Sequence, residues 1–424
     1  MSMPATCDVA VIGGGPGGSS AATHLARAGL HVVLLERETF PRFHIGESLV
    51  PATLPVLDRL GVRDEVDRQG FQIKYGALFT DQEMGLEHTF YFLRDRPWPP
   101  HAYQVPRAEF DALLLRHAAK QGAHVHQPAT VGSVAFDAAG ATLSGEATDG
   151  AFTMRARFVV DATGREGLLA SRLGRRQRVP NLGKVALFAH VRGAARAQGR
   201  DEGNIQIHVF ADGWFWWIPF AGDVTSIGCV LHARTVRGWK GTQEDLYQEM
   251  IGRCTRVADG LAGAERISPV RTAANFAYVN HPAVGDRFLA VGDAIAFVDP
   301  IFSGGVHIAM CSGELAARAI VEAFRDGRFE ASRFRGYERA VWRGVRPLFK
   351  FIHKYYEPAF LELFLKPRSQ FGMLDAVLTV LSGGAFHGMR WRTRLSLAMV
   401  FTAARVNVWV RRRAGRAVES RLEW

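Results

Sequence analysis

The sequence predicts an α/β fold with a helix-covered parallel portion, a run of antiparallel strands and a helical C-terminal region. Three observations carry this reading. A glycine-rich strand-to-helix turn lies at residues 13–18, alternating strands joined by hairpin-type turns run from residue 204 to 231, and helical spacing takes over beyond about residue 346. The chain of 424 residues, 48% hydrophobic, is long enough for two domains and has no compositional sign of disorder.

Residues 7–36 read CDVAVIGGGPGGSSAATHLARAGLHVVLLE: an apolar strand, a glycine turn, an alanine-rich helix and a second apolar strand ending in Glu36. Gly13, Gly15 and Gly18 form G-x-G-x-x-G, with Pro16 inside the turn. Missing side chains there let a pyrophosphate approach the backbone at the helix N-terminus. Glu36 stands where an acid accepts hydrogen bonds from an adenosine ribose. A chance glycine turn is the competing reading, and the strand, helix and acid all falling in place argue against it. The motif predicts dinucleotide binding without choosing between NAD and FAD.

RFVVDATG (157–164) and DRFLAVGDA (286–294) are two further strands running into small-residue turns, the second ending in Gly292 and Asp293. Asp293 is placed to bind ribityl hydroxyls, or else to cap the turn. FQIKYGALF (71–79) alternates, with Phe71, Ile73, Tyr75, Ala77 and Phe79 on one face and Lys74 on the other, and so predicts a half-buried strand. NIQIHVF, WFWWIPF and VTSIGCVL follow in series, separated by ADG and AGD. In the middle strand Trp214, Trp216 and Ile218 should face one side and Phe215 and Trp217 the other. Isolated tryptophans on a central strand would ordinarily be core.

Four widely spaced cysteines with no CxxC pair predict neither a disulfide framework nor a zinc site, and they fit a reducing cytoplasm. The N-terminus shows no secretory signal, and no run reaches the roughly 18 apolar residues of a membrane span. The net charge is +11, and residues 386–424 hold nine arginines against two glutamates. A solvated face is the ordinary explanation of such a tail. A docking surface for an acidic protein is the functional one, ahead of an anionic membrane; nucleic acid lacks any accompanying motif.

GGGPGG with Glu36, FPRFHIGESL (40–49), RFVVDATG and VGDAIAFVDPIFSGG together resemble the flavin monooxygenase superfamily of the p-hydroxybenzoate hydroxylase type, over residues 5–345. The resemblance implies a Rossmann-like FAD-binding domain (about 1–70, 100–170 and 275–345) interleaved with a substrate domain on an antiparallel sheet (about 71–99 and 175–272). The basic helical region would span 346–424. Arg42, Gly46, Glu47 and Ser48 resemble the family's flavin-contacting loop, and Arg107 resembles an arginine that approaches the FAD. His307 beside the glycine turn reads as a packing or capping residue.

Three features resemble the flavin-dependent halogenases within that superfamily. WxWxIP (Trp214, Trp216, Ile218, Pro219) implies a wall between flavin and substrate, along a passage for the oxidant. Lys74, in F-x-x-K-x-G, implies the catalytic lysine that holds and polarises hypohalous acid beside an aromatic ring. F-x-x-P-x-x-S-x-G (Phe297, Pro300, Ser303, Gly305) implies a flavin contact at Pro300 and a halide site on the N-H groups of Ser303, Gly304 and Gly305. The generic alternative is that this helix start stabilises the flavin's negative charge, as in the superfamily's monooxygenases.

Tryptophan halogenases carry a glutamate before that serine, where this chain has Phe302. The departure points to the branch acting on phenols, pyrroles and similar electron-rich rings, including carrier-borne ones. The resemblance thus implies FAD, used as FADH2 from a separate reductase, with O2 and chloride or bromide as co-substrates and an acidic acyl or peptidyl carrier protein as partner. A flavin-dependent monooxygenase or reductase, or a non-catalytic FAD-binding accessory protein, is the alternative.

Overall fold

The computed structural model describes residues 3–93, 96–180, 182–274, 277–367 and 370–418. Strand Thr6–Ile12 pairs in parallel with Val32–Leu35 on one side and Gly150–Asp161 on the other, and the latter pairs in parallel with Phe288–Ala290. The VAVI and VVLL runs are apolar at every position because helices and strands cover both faces. Helix Pro16–Arg27 crosses the long helix Gly305–Asp326 in close contact. A Cβ on Gly313 would lie 2.5 Å from the Gly17 carbonyl oxygen, and Ser20 Oγ donates to the Met310 carbonyl at 3.0 Å. These parallel strands deliver Gly13, Ala162 and Val291 to one edge, the crevice where open α/β sheets bind ligands.

The second large sheet runs in the order 265–266, 184–192, 224–232, 213–219, 205–210, 76–81 and 86–91. Its antiparallel hairpins place Trp214, Trp216 and Ile218 on one face, and Phe215 and Trp217 on the other against helix Gln243–Arg253. A separate three-stranded sheet is formed by 175–178, 278–281 and 296–297.

The alternation expected through residues 71–79 breaks at Tyr75. Gln72–Lys74 pairs with Ala102–Gln104, whereas Gly76–Asp81 joins the large sheet. The Tyr75 N-H is taken by Asn204 Oδ1 at 2.9 Å, so the phase of the strand changes there. Ile73 is consequently 38% exposed and Lys74 only 2%.

Helices Arg335–Tyr355, Pro358–Leu365, Met373–Leu381 and Trp391–Arg413 make up the C-terminal region. Phe351, Tyr355 and Phe364 interlock with Phe79 and Phe302 at ring separations of 4.9–6.3 Å, closing the sheet's core. Arg411, in the basic tail, is buried and paired with Glu362, and its Nε donates to the Ala417 carbonyl. Arg413 lies over the Trp409 ring at 3.8 Å. No helix among the described residues is long and apolar enough to cross a membrane. All four cysteines are free and buried, and no group of metal-ligating side chains occurs among the described residues.

Candidate active site

A cavity of about 620 Å³ runs from the glycine turn to the tryptophan strand. Gly13 has φ +106°, and a Cβ there would lie 2.3 Å from the Ala162 carbonyl oxygen. Gly18 is equally constrained, its Cβ falling 1.9 Å from the Gly13 oxygen. Gly15 is different: it lines the cavity, and a Cβ would meet only the Arg42 guanidinium, at 3.7 Å. Gly13 and Gly18 shape the turn, while Gly15 leaves room in front of a helix N-terminus for an anionic group. Glu36 holds that turn directly, accepting from Gly14 N-H at 2.6 Å through Oε2 and from Glu38 N-H at 2.9 Å through Oε1.

Asp293 lines the opposite side of the cavity, and burial pushes its carboxyl up to about 6. Gly292, Pro16 and Pro300 are also on the wall. Arg107 is buried; it grips Asp111 through Nε and Nη2 at 2.8 Å each, and Nη1 donates to the Ile45 carbonyl at 2.7 Å. Arg42 completes the cluster at 3.0 Å from Asp111. The two arginines thereby set the loop carrying Gly46, Glu47 and Ser48. Glu47 Oε1 meets His190 Nε2 at 2.9 Å, while Oε2 has no protein partner among the described residues. A cavity within the roughly 300–1,000 Å³ range of cofactor sites, a side-chain-free approach at Gly15 and an orphaned acceptor at Glu47 fit FAD.

Lys74 is not on the cavity surface. Its Nζ donates to Ser48 Oγ at 2.7 Å and lies 5.6 Å from the centre of the Phe92 ring, and Ser48 itself is on the wall. With no carboxylate among the described residues to offset its burial, the ammonium is held down to about 7, against 10.5 for a free lysine. At neutral pH it is therefore divided between a hydrogen-bond donor and a nucleophilic amine.

Trp214, Trp216 and Ile218 form the apolar end of the cavity, with Pro219 closing their strand. The two indoles are tilted by 56° at 6.1 Å and are not stacked as two parallel plates. Trp216 stands opposite Gly228, where a Cβ would sit 2.0 Å from the indole, so only glycine admits this ring. The hairpin turn at AGD registers these two residues, a signal already present in the sequence. Behind the wall lies a network that sequence reasoning missed. Trp214 Nε1 donates to Tyr356 Oη at 2.9 Å, and Tyr356 Oη donates to Asp299 Oδ2 at 2.8 Å. Asp299 Oδ1 accepts from Ile301 N-H at 3.1 Å. Lys184 Nζ stands 3.6 Å from the same carboxylate and 3.0 Å from the centre of the Tyr356 ring.

Ser303 has φ +55° and lines the cavity together with Gly305. Contrary to the expected trio of N-H donors, the Ser303 N-H is used within the turn, donating to the Pro300 carbonyl at 2.9 Å. Gly304 is packed on its Cβ side, where a side chain would lie 2.8 Å from Leu348. Helix Gly305–Asp326 starts at the cavity, and its N-cap, Gly304, has no side chain to satisfy the first N-H groups. Phe302 points into the aromatic core, so no carboxylate occupies that position. His307 is buried against Phe386 and Cys311, and burial pushes it down to about 3, which suits a packing histidine.

The FAD binding domain family model matches residues 6–339. The chain is 34% identical over 412 residues to a 1H-pyrrole-2-carbonyl-[peptidyl-carrier protein] chlorinase of Pseudomonas fluorescens, covering 90% of each chain. Among solved structures it resembles a flavoprotein/dehydrogenase from Cytophaga hutchinsonii (TM-score 0.86, 29% identity, 95% of this chain and 98% of that one). It also resembles the myxobacterial chondrochloren halogenase CndH, described as a new variant of FAD-dependent halogenases (TM-score 0.80, 32% identity, 94% and 98%).

Proposed function

We propose that this chain, which belongs to the flavin-dependent halogenases, uses Lys74 and Ser48 to deliver oxidised halogen to an electron-rich ring. The substrate would be a pyrrole, phenol or similar aromatic, presented on a carrier protein as in the chlorinase relative's name. Chloride or bromide and O2 would be the co-substrates, and a separate reductase would supply the reduced cofactor. The observation that carries this reading is a buried, counterion-free lysine hydrogen-bonded to a hydroxyl on the cavity wall.

FAD, when reduced and bound, supplies the two-electron activation of O2 that oxidises halide. The chain's own residues do the rest. Gly13, Gly15, Pro16 and Gly18 would seat the pyrophosphate, Glu36 would hold the turn and face the adenosine ribose, and Asp293 would accept from the ribityl hydroxyls. Arg42 and Arg107, through Asp111 and the Ile45 carbonyl, would hold Gly46–Ser48 against the ring system, with Gly292 and Pro300 on the facing wall. The start of helix Gly305–Asp326, with Ser303, would hold halide.

Hypohalous acid reaching Ser48 meets Lys74 in either of two forms. The ammonium donates a hydrogen bond that polarises the oxygen–halogen bond. The amine forms a nitrogen–halogen bond, its displaced proton and the hydroxide leaving together as water. The aromatic ring then takes the halogen and loses a proton. Trp214, Trp216 and Ile218 keep the ring away from the oxygen chemistry and exclude water from the passage.

The test is to incubate the protein with a flavin reductase, NADH, FAD, O2 and bromide, with free and carrier-borne pyrroles and phenols. Products are read by mass spectrometry for the bromine isotope doublet. Oxygenated products without halogen would identify a monooxygenase instead and end this reading.

A further inference from the structure

A second cleft, of about 1030 Å³, lies between helices Arg335–Tyr355 and Trp391–Arg413. Arg339, Arg343, Arg346 and Lys350 stand at i, i+4, i+7 and i+11 along the first helix, all exposed and all lining the cleft; Arg394 faces them from the second. Among the described residues none of the five is within ion-pair distance of a carboxylate, and Glu338 is the only acidic residue on the wall. Arg333, just before this stripe, meets Glu322 and Asp326, and Lys354, just after it, meets Glu357, so carboxylates flank the stripe without reaching it. Four like charges on one helical face repel one another. The arrangement is therefore built to be neutralised by something outside the chain.

The floor beneath the cations is apolar, formed by Trp342, Leu397 and Phe401, with Lys350 Nζ 4.4 Å from the centre of the Phe401 ring. An apolar floor with a cationic rim between two helices suits an amphipathic helix that carries carboxylates along its flanks. A lipid surface is flat and would not reach a floor set between two helices. The cleft's position is informative too. On strands 175–178 and 278–281, Arg176 and Tyr278 line the flavin cavity, while the next residues, Gln177 and Val279, line the cleft. One layer of sheet separates the two.

We propose that this cleft docks an acidic helix of the carrier protein that brings the substrate, a proposal that rests on the carrier-borne reading given above. It moves the centre of the docking surface from the tail to helix Arg335–Tyr355: of the tail arginines Arg394 lines the cleft, whereas Arg411 is buried against Glu362.

The experiment compares wild type with the double reversal Arg343→Glu/Arg346→Glu, both sites being exposed and outside the flavin cavity. The probe is a fluorescein-labelled peptidyl carrier protein loaded with pyrrole-2-carbonyl, followed by anisotropy and by product formation. Free-pyrrole turnover and thermal midpoint are the controls. The double reversal should lose about tenfold or more in carrier affinity and in kcat/KM on the loaded carrier, with free-pyrrole turnover unchanged. Placing lysines for glutamates on the carrier's acidic helix should restore binding to the double variant. Carrier turnover equal in both proteins would overturn the cleft as the dock and leave the carrier reading standing. Wild type that halogenates free pyrrole but neither binds nor turns over the carrier would end the carrier reading and the dock with it. Binding to phosphatidylserine vesicles that is lost in the variant while carrier turnover persists would reassign the cleft to a lipid surface.

Discussion

Two lysines are buried among the described residues, and their surroundings differ in one respect. Lys184 has a carboxylate, Asp299, at 3.6 Å, and Lys74 has only the Ser48 hydroxyl and the edge of an aromatic shell. Burial pushes both down, to about 8 for Lys184, where Asp299 opposes the shift, and to about 7 for Lys74, where nothing does. The same burial pushes Asp299 up, so each member of the pair is drawn toward neutrality and sustained by the other. Asp299 in turn anchors Tyr356, and through it Trp214, beside the turn that leads to Ser303. The paired lysine thus holds architecture together, while the unpaired one keeps an amine available near neutral pH. Counter-charge is what separates the two sites.

The largest expected effect falls on the unpaired member. Lys74→Ala should lower halogenation about a thousandfold or more, while FAD titration and cofactor reoxidation remain as in wild type. Product formation above a tenth of wild type would remove Lys74 from the chemistry. The next effect falls on the paired member and on stability. Lys184→Met leaves Asp299 buried without its cation and should destabilise by about 3–5 kcal/mol in denaturant melts, with part of this recovered by adding Asp299→Asn. Lys74→Met strands no charge and should cost clearly less; equal losses would erase the contrast.

The pH dependence sharpens the comparison further. An unfolded Lys74 binds its proton up to about 10.5 and the folded one only up to about 7, so the unfolded chain holds the extra proton between those values. The cost of burying the charge is present in full below about 7 and is relieved as pH rises toward 10.5. Wild type should therefore gain stability relative to Lys74→Met across that window. A difference that stays flat would mean the ammonium is solvated. The smallest effect is at the wall: Trp214→Phe removes one hydrogen bond to Tyr356 and should cost about 1 kcal/mol, with halogenation reduced less than in Lys74→Ala.

The glycine turn was legible because its chemistry is local: strand, turn, helix and Glu36 all lie within residues 7–36, and periodicity suffices to place them. The facing of Trp214, Trp216 and Ile218 was legible for the same reason, since a strand alternates. Lys74 was legible as a residue type in a motif, but not as a buried group. Its strand changes phase at Tyr75, and the cause, the Asn204 side chain, comes from a distant segment. The N-H donors of the serine-glycine turn were legible as a group and wrong in detail. The Ser303 N-H is consumed by the turn itself, where Ser303 is left-handed.

Sequence alone determined the α/β class, the dinucleotide turn, the tryptophan strand and the resemblance to flavin-dependent halogenases, because each rests on spacing within a short segment. Only the tertiary structure decided which buried lysine has a counter-charge, that the C-terminal helices complete the sheet's core, and where unpaired positive charge collects. Those outcomes depend on desolvation and on charges brought together from separate segments, and neither quantity exists until the chain has folded.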